Sequence, residues 1–261
     1  MDRTDREKPL KRTLLEQLEP GTDEDLKVQK ISPGLPEGVS SRDVYRDILR
    51  IALPASVELM LSSLVSMVDL MMVGGLGTWA ITSVGLTTQP KFLLMTMVMS
   101  MNVGATALVA QSKGAGNQAA ARKYARQAVT VNLLMGAALS LLGLLTANPL
   151  VRFMGAKTPR ILGAGTAYLQ IQMASFLFFS LTSTLTAVLR GVGDSRTAMY
   201  YNSAANLSNI VLNYLLIHGH YGFPRLEVAG ASLATAISQV LACGLAIGAV
   251  SRQKCYLHMS L

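Results

Sequence analysis

The chain has 261 residues, of which 51% are hydrophobic and only 15% charged, and its formal net charge is +8. Nine of the fifteen acidic residues lie before position 42, and the basic residues beyond it fall mostly in short gaps between apolar runs. This pattern excludes an ordinary soluble protein and a nucleic-acid partner, because a membrane protein keeps Lys and Arg in its cytoplasmic loops.

Residues 1–41 form a polar stretch of mixed charge, interrupted by Pro20, Gly21, Pro33, Gly34 and Pro36. A segment of this composition buries too little apolar surface to offset the entropy lost on folding. We therefore predict a disordered cytosolic tail over 1–41.

Six apolar segments follow, over 48–74, 83–110, 124–147, 161–189, 197–218 and 228–250. Each has the roughly 20 residues that a helix needs to cross the hydrocarbon core. The gaps between them are short and rich in Gly, Pro and charge. The predicted fold is an all-α membrane protein, with a bundle of six transmembrane helices over 42–251 and a short tail over 252–261.

The basic residues beyond position 41 are distributed unevenly between the two ends of this bundle. Eleven Lys and Arg flank the end that holds both termini, whereas the three connections at the other end hold four. Because Lys and Arg are retained in the cytoplasm, we predict a multi-pass protein of the cell membrane with both termini cytoplasmic.

The first segment carries a proline and two carboxylates, Pro54, Glu58 and Asp69. A charge inside the bilayer costs at least a few kcal/mol, so neither acid is expected to face lipid. Eleven residues separate them, about three helical turns, which places both on nearly one face. Glu58 and Asp69 are therefore candidate sites for a coupling proton or cation, although Glu58 is also placed to pair with a basic residue. Pro54 removes one backbone hydrogen bond and is a candidate bending point.

The fifth segment carries Asn202, Asn206, Asn209 and Asn213 at steps of four, three and four, which puts all four on one helical stripe. An amide is costly in lipid unless it is hydrogen-bonded. The stripe predicts either a hydrogen-bonded seam between helices or the wall of a polar cavity. We weigh the cavity more heavily, with Asn202 and Asn206 as lining candidates. Asn209 and Asn213 fall in the same half of the membrane as Asp69.

The sequence contains no nucleotide-binding loop, serine-hydrolase motif or zinc-protease motif. Cys243 and Cys255 form neither a disulfide framework nor a metal-binding spacing. We therefore expect no enzyme activity, no metal and no cofactor other than the coupling ion.

Four stretches resemble the N-terminal half of a multidrug and toxic compound extrusion (MATE) antiporter. They are ALPASVELMLSSLVSMVDLMMVGGLG (52–77), GATALVAQSKGAGNQAAARKYARQ (104–127), LRGVGDSRTAMYYN (189–202) and NIVLNYLLIHGHYGFPRLEVAGASLATAIS (209–238). Their order along the chain is that of the family. The resemblance extends over about 43–250.

The resemblance implies two six-helix lobes that face a central cavity, with alternating access driven by H⁺ or Na⁺. It implies that Asp69 binds the coupling ion, that Asn209 lies beside it and that the helix around Pro54 bends. Asn213 stands where some archaeal members have an aspartate, so the resemblance assigns the proton or cation to Asp69. Glu58 has no counterpart in the best-known site.

The chain holds six of the twelve helices that the resemblance implies, so we expect a truncation at 252–261 and a missing C-terminal lobe. The implied function is efflux of organic, often cationic compounds across the lipid bilayer by antiport with H⁺ or Na⁺. One alternative is a flippase for lipid-linked oligosaccharides, which would favour a more cationic cavity than one with only Lys91. The other is a non-transporting half-length remnant or an assembly subunit, and self-association of two such halves is a further hypothesis.

Overall fold

The computed structural model of the chain describes residues 41–251, apart from the side chains of residues 41–44, 47 and 220. The tails predicted over 1–41 and 252–261 lie outside the described residues, except for Ser41, which is helical. From Asp47 onward the helices belong to one compact unit. The domain boundaries proposed from the sequence stay predictions.

Six long helices account for nearly all of the described residues, and no strand occurs among them. They are α1 (Ser41–Gly74), α2 (Thr78–Gly114), α3 (Gln118–Phe153), α4 (Pro159–Gly191), α5 (Ser195–His218) and α6 (Glu227–Ser251), with a short 3₁₀ turn at His220–Gly222 between the last two. The prediction of an all-α fold with six helices is therefore confirmed.

Several helices are longer than the apolar segments that predicted them, because helical hydrogen bonds continue beyond the apolar span. The third segment, predicted over 124–147, is part of a helix that begins at Gln118 and runs through Pro149 to Phe153. Polar side chains just before the helices fix where they begin. Asn117 accepts a hydrogen bond from the Ala120 N–H at 2.9 Å, and Asp194 accepts one from the Thr197 N–H at 3.2 Å.

Five of the six helices are long and apolar enough to cross a membrane, and α5 is the exception. Helix α5 has 24 residues, which is sufficient length, but its four asparagines lower its mean hydropathy. The fold is thus that of a multi-pass membrane protein in which one helix depends on polar partners inside the bundle.

Helix α4 lies at the centre of the bundle, and α1 lies at its edge. In the most apolar window of α4, 56% of the residues are buried, against 17% in the corresponding window of α1. Helices α2, α3 and α6 pack directly on α4, whereas the backbone of α1 approaches its neighbours at few points. Helix α1 is therefore attached mainly by side chains, and these include the candidate site residues.

Helices α5 and α6 approach each other closely where Gly230 faces α5. A Cβ atom at position 230 would lie 2.5 Å from the Leu216 carbonyl oxygen, so only glycine fits there. This contact fixes α6 against the half of α5 that carries Asn209 and Asn213.

Candidate functional site

Helices α1 and α5 run parallel and are joined by three hydrogen bonds between side chains at a constant sequence offset. Asn202 donates to Glu58 at 2.9 Å, Asn206 donates to Ser62 at 2.9 Å, and Asn213 donates to Asp69. In each pair the two residues are 144 positions apart. The constant offset follows because parallel helices rise by the same amount per residue and so stay in register.

Asp69 lies at one end of this row, half-buried on α1, and faces two buried amides of α5. The Asn213 amide nitrogen donates to Asp69 Oδ1, and Asn213 is fully buried while Asn209 is 5% exposed. The structure thus brings together Asp69, Asn209 and Asn213, the three residues that the sequence analysis places at one ion site.

The Asn209 amide fits beside Asp69 in two orientations. With its nitrogen towards Asp69, that nitrogen lies 3.1 and 3.2 Å from the two carboxylate oxygens, and its oxygen accepts from the Thr235 N–H at 3.2 Å. In the reverse orientation the nitrogen donates to Thr235 Oγ1 at 3.3 Å and the oxygen accepts from Asn213 at 3.1 Å. An ionised carboxylate favours the first orientation, in which it accepts from the Asn209 nitrogen, whereas a protonated one can donate a hydrogen bond to the amide oxygen in the second.

Helices α2 and α4 complete the surroundings of Asp69. Lys91 of α2 and Tyr168 of α4 lie close enough to interact electrostatically with Asp69. Tyr168 is buried and hydrogen-bonded to Gln172, whose own amide nitrogen is buried without a partner among the described residues. The site therefore offers a carboxylate, amide oxygens, hydroxyl groups and one nearby ammonium group.

Glu58 belongs to a separate polar cluster about three turns from Asp69. Its side chain is 8% exposed, and Oε1 accepts from Arg190 Nη2 of α4 at 2.9 Å and from Asn202 at 2.9 Å. Asn202 also donates to Thr186 Oγ1 at 3.3 Å, and Thr186 shares a 2.6 Å hydrogen bond with the Tyr201 hydroxyl. Glu58 is thus paired with a basic residue, one of the two roles that the sequence analysis left open for it.

Asn202 and Asn206 are half-buried, and the amide of each donates to a side chain of α1. This is the hydrogen-bonded seam that the sequence analysis gave as the less favoured alternative. A role for either residue in lining a cavity stays a prediction.

Pro54 lies inside α1, one turn before Glu58. The ring nitrogen has no hydrogen to donate, so the carbonyl group of Arg50 lacks its usual helical partner. The helix continues through this position, and bending at Pro54 stays a prediction.

The sequence analysis missed Arg190 and Tyr168 as neighbours of the two acids, and Thr235 as a hydrogen-bond partner of Asn209. Arg190 stands at the end of its apolar segment, where a basic residue is ordinarily explained by topology. Tyr168 and Thr235 occur singly in apolar helices, without the regular spacing that marks the asparagine stripe. Only the packing of α4 and α6 against α5 brings Tyr168 near Asp69 and Thr235 near Asn209.

The arrangement suits the reversible binding of a proton or a small monovalent cation. Among the described residues, no three His, Cys, Asp or Glu side chains lie together as a metal-binding group would require. Asp69 supplies one negative charge, and the amides of Asn209 and Asn213 supply oxygen or nitrogen atoms according to their orientation. Such a set can favour either charge state of Asp69 if the Asn209 amide turns over so that its nitrogen and oxygen exchange places.

Two of the curated proteins with similar sequences illustrate the relationship. "Probable multidrug resistance protein NorM" of Thermotoga maritima is 31% identical over 203 residues, which cover 78% of this chain and 44% of that protein. "Multidrug resistance protein PmpM" of Pseudomonas aeruginosa is 30% identical over 209 residues, which cover 78% of this chain and 43% of that protein. The chain therefore spans about half the length of the curated relatives that it matches.

The chain is also similar to a solved structure and matches a family model. The structure is described as the outward-facing conformation of a multidrug resistance MATE family transporter of the MOP superfamily. It aligns with a TM-score of 0.74 at 24% identity, covering 82% of this chain and 47% of that one, and so supports the fold. The family model MatE matches residues 54–215, which include Pro54, Asp69, Asn209 and Asn213. The chain belongs to the MatE family.

Proposed function

We propose that the chain is one lobe of a secondary active transporter that exports organic, often cationic compounds by antiport with H⁺ or Na⁺. The names of its relatives as multidrug resistance proteins support efflux. Because the chain spans about half of their length, the active form contains a second lobe or a second copy of this chain. The bilayer and small organic molecules are then its other partners.

The observation that carries this proposal is the position of Asp69. Placing a carboxylate within a membrane helix costs free energy, so its presence there marks a candidate functional site. Asp69 is half-buried and hydrogen-bonded to a neutral amide, and neither of the ion pairs among the described residues includes it. Lys91 acts on Asp69 electrostatically but forms neither of those ion pairs, so the carboxylate can bind an ion from solution and release it.

Ion binding at Asp69 would act on α1 through Asn213 and Asn209. A proton or cation on Asp69 weakens its attraction for the Asn213 amide hydrogen and allows the Asn209 amide to rotate. Since α1 has little other packing, this change alters how firmly α1 is held against α5. The ion thereby shifts the balance between conformations of the lobe, as antiport requires.

The test is Asp69→Asn in the assembled transporter, reconstituted in liposomes with an imposed H⁺ or Na⁺ gradient. We expect ion-driven dye efflux to be lost, because asparagine keeps the size of the side chain but cannot carry the charge. Membrane insertion should be unchanged. The matched control is Glu227→Gln, a half-buried acid that pairs with the exposed Arg225 at the start of α6. Normal efflux by Asp69→Asn would contradict the proposal.

The half-length of the chain leads to a second measurement. Sizing of the purified chain in a native gel distinguishes a monomer from a dimer or a complex with another protein. We expect a dimer or a complex, because the chain spans about half the length of the curated relatives that it matches. A stable monomer with no efflux would favour the alternative of a non-transporting remnant.

A further inference from the structure

We infer that Arg190 and Glu58 are positioning residues that anchor α1 permanently to α4 and α5, so that, of the two carboxylates in the membrane-spanning part of α1 (Ile48–Gly74), Asp69 is the one that exchanges an ion. The anchor itself follows from the contacts of Glu58. The assignment of ion exchange to Asp69 rests on the proposed function.

The first step is the chemistry of the Glu58 cluster. Glu58 Oε1 accepts from both the Arg190 guanidinium group and the Asn202 amide at 2.9 Å, and Glu58 is 6% exposed. The Arg190 side chain is 32% exposed, whereas that of Glu58 is 8% exposed, so loss of Arg190 would leave a buried carboxylate without its counter-charge, which is costly. The pair is therefore a lasting contact between α1 and α4.

The second step is the weak packing of the rest of α1. Large apolar side chains on several sides of α1 are exposed, including Leu53, Met60 and Met67. The row of side-chain hydrogen bonds to α5 and α4 thus supplies much of what attaches this helix, together with the buried Val65 and Val73. In such a helix, a single ion pair has more influence on position than it would have in the close-packed core.

The third step is the contrast between Glu58 and Asp69, the two carboxylates in the membrane-spanning part of α1 (Ile48–Gly74). Glu58 has a guanidinium partner at hydrogen-bond distance. Asp69 has an amide partner, and the ammonium group of Lys91 acts on it without forming one of the ion pairs of the described residues. The Glu58 contact is fixed, whereas the Asp69 contact can change with the bound ion.

The two contacts lie about 16 Å apart along α1, with Pro54 one turn before the first of them. A helix held permanently at Glu58 and conditionally at Asp69 pivots about Glu58 when the Asp69 contact weakens. Arg190 therefore sets the point about which α1 pivots, and it keeps the part of α1 that carries Asp69 within reach of Asn213.

The test measures the position of α1 in the full chain reconstituted in lipid. Spin labels are placed on cysteines at Met60 of α1 and Leu207 of α5, both exposed, after Cys243 and Cys255 are changed to alanine. The distance distribution is then compared for the parent chain, Glu58→Gln, Arg190→Gln, Arg190→Lys and the charge-reversed pair E58R/R190E. The matched control is R225Q/E227Q, which removes the other ion pair, an exposed one.

We expect a narrow distribution in the parent and in the control, and at least a twofold broader one in Glu58→Gln and Arg190→Gln. Arg190→Lys keeps the charge and should stay narrow, and the reversed pair should return towards the parent width. Unchanged distributions in both single variants overturn the anchor. Broadening in Arg190→Lys equal to that in Arg190→Gln also overturns it, because the charge would then not matter.

A transport measurement separates this inference from the proposed function. In the assembled transporter, Glu58→Gln should lower the maximal efflux rate and leave the half-saturating ion concentration within twofold, whereas Asp69→Asn loses ion dependence. Loss of ion dependence in Glu58→Gln overturns the inference, since Glu58 would then exchange the ion. Ion dependence retained in Asp69→Asn contradicts the proposed function and leaves the spin-label result standing.

Discussion

Asp69 and Glu58 are both carboxylates on one face of α1, yet their neighbours give them different chemistry. Glu58 contacts a guanidinium group, and Asp69 contacts amides of α5. An amide interacts with both charge states of a carboxylate, since it has hydrogens to donate and an oxygen to accept. A guanidinium group favours only the ionised form. At this scale, the identity of the neighbouring group distinguishes an anchor from a site that can exchange an ion.

This difference predicts the effect of replacing Asn213. Asn213→Leu removes the donor to Asp69 and leaves Asn209 with one fewer partner, so it should lower the free energy of unfolding by about 1–3 kcal/mol. Thermal unfolding of the purified chain in detergent measures the change. The matched control is Asn148→Leu, an exposed asparagine near the end of α3, which should have little effect. An equal loss in both variants would contradict the role of the Asp69 contact.

Helices α1 and α5 depend on each other. The asparagines of α5 lower its hydropathy below that of a membrane span. They are tolerated because they form hydrogen bonds to α1 and α6 and so do not face lipid. Helix α1 is apolar enough to span, yet its acids need those asparagines as partners. The two helices therefore form one polar unit within an apolar bundle, and Pro54 is placed to let α1 bend on that unit.

The bending role of Pro54 predicts a specific result for Pro54→Ala. Alanine restores one backbone hydrogen bond to α1, which should add about 1 kcal/mol of stability and stiffen the helix. Efflux by the assembled transporter should slow while ion dependence is kept. Pro149→Ala in α3 also changes a proline inside a helix and should leave the rate unaltered. Normal efflux rates in both variants would show that α1 need not bend at this position.

In the whole molecule, successive helices run in opposite directions. One end of the bundle is therefore built from helix ends that are far apart in the sequence. The end of α2, the start of α3, the end of α4 and the start of α5 all meet there around a shared apolar core that includes Val109, Ala121, Leu189 and Ala198. The same end carries Lys113, Lys123, Arg126, Arg190 and Arg196. We propose that this end faces the cytoplasm of the cell.

The orientation predicts which cysteines a membrane-impermeant thiol reagent can label in intact cells. In a background without Cys243 and Cys255, Lys157→Cys before α4 should be labelled from outside, and Lys123→Cys on α3 should be labelled only after the cells are opened. Both side chains are exposed in the structure, so a difference in labelling reports the side of the membrane. The reverse pattern would overturn the proposed orientation.

The order of apolar and polar residues was enough to predict the fold class and the number of helices, and it also indicated which residues form the candidate ion site. Apolar runs of spanning length report helices because a bilayer requires internally hydrogen-bonded backbone, and that constraint acts along the chain. The stripe from Asn202 to Asn213 and the placement of Asp69 were likewise visible as periodicity.

Which side chains contact each other across the helices was decided by the tertiary structure. That Asn202 and Asn206 join α1, that Arg190 neutralises Glu58, and that Tyr168 lies near Asp69 and Thr235 near Asn209 depend on which helices become neighbours. Contacts between residues as far apart as 144 positions arise from packing, which leaves no periodic signal in the sequence.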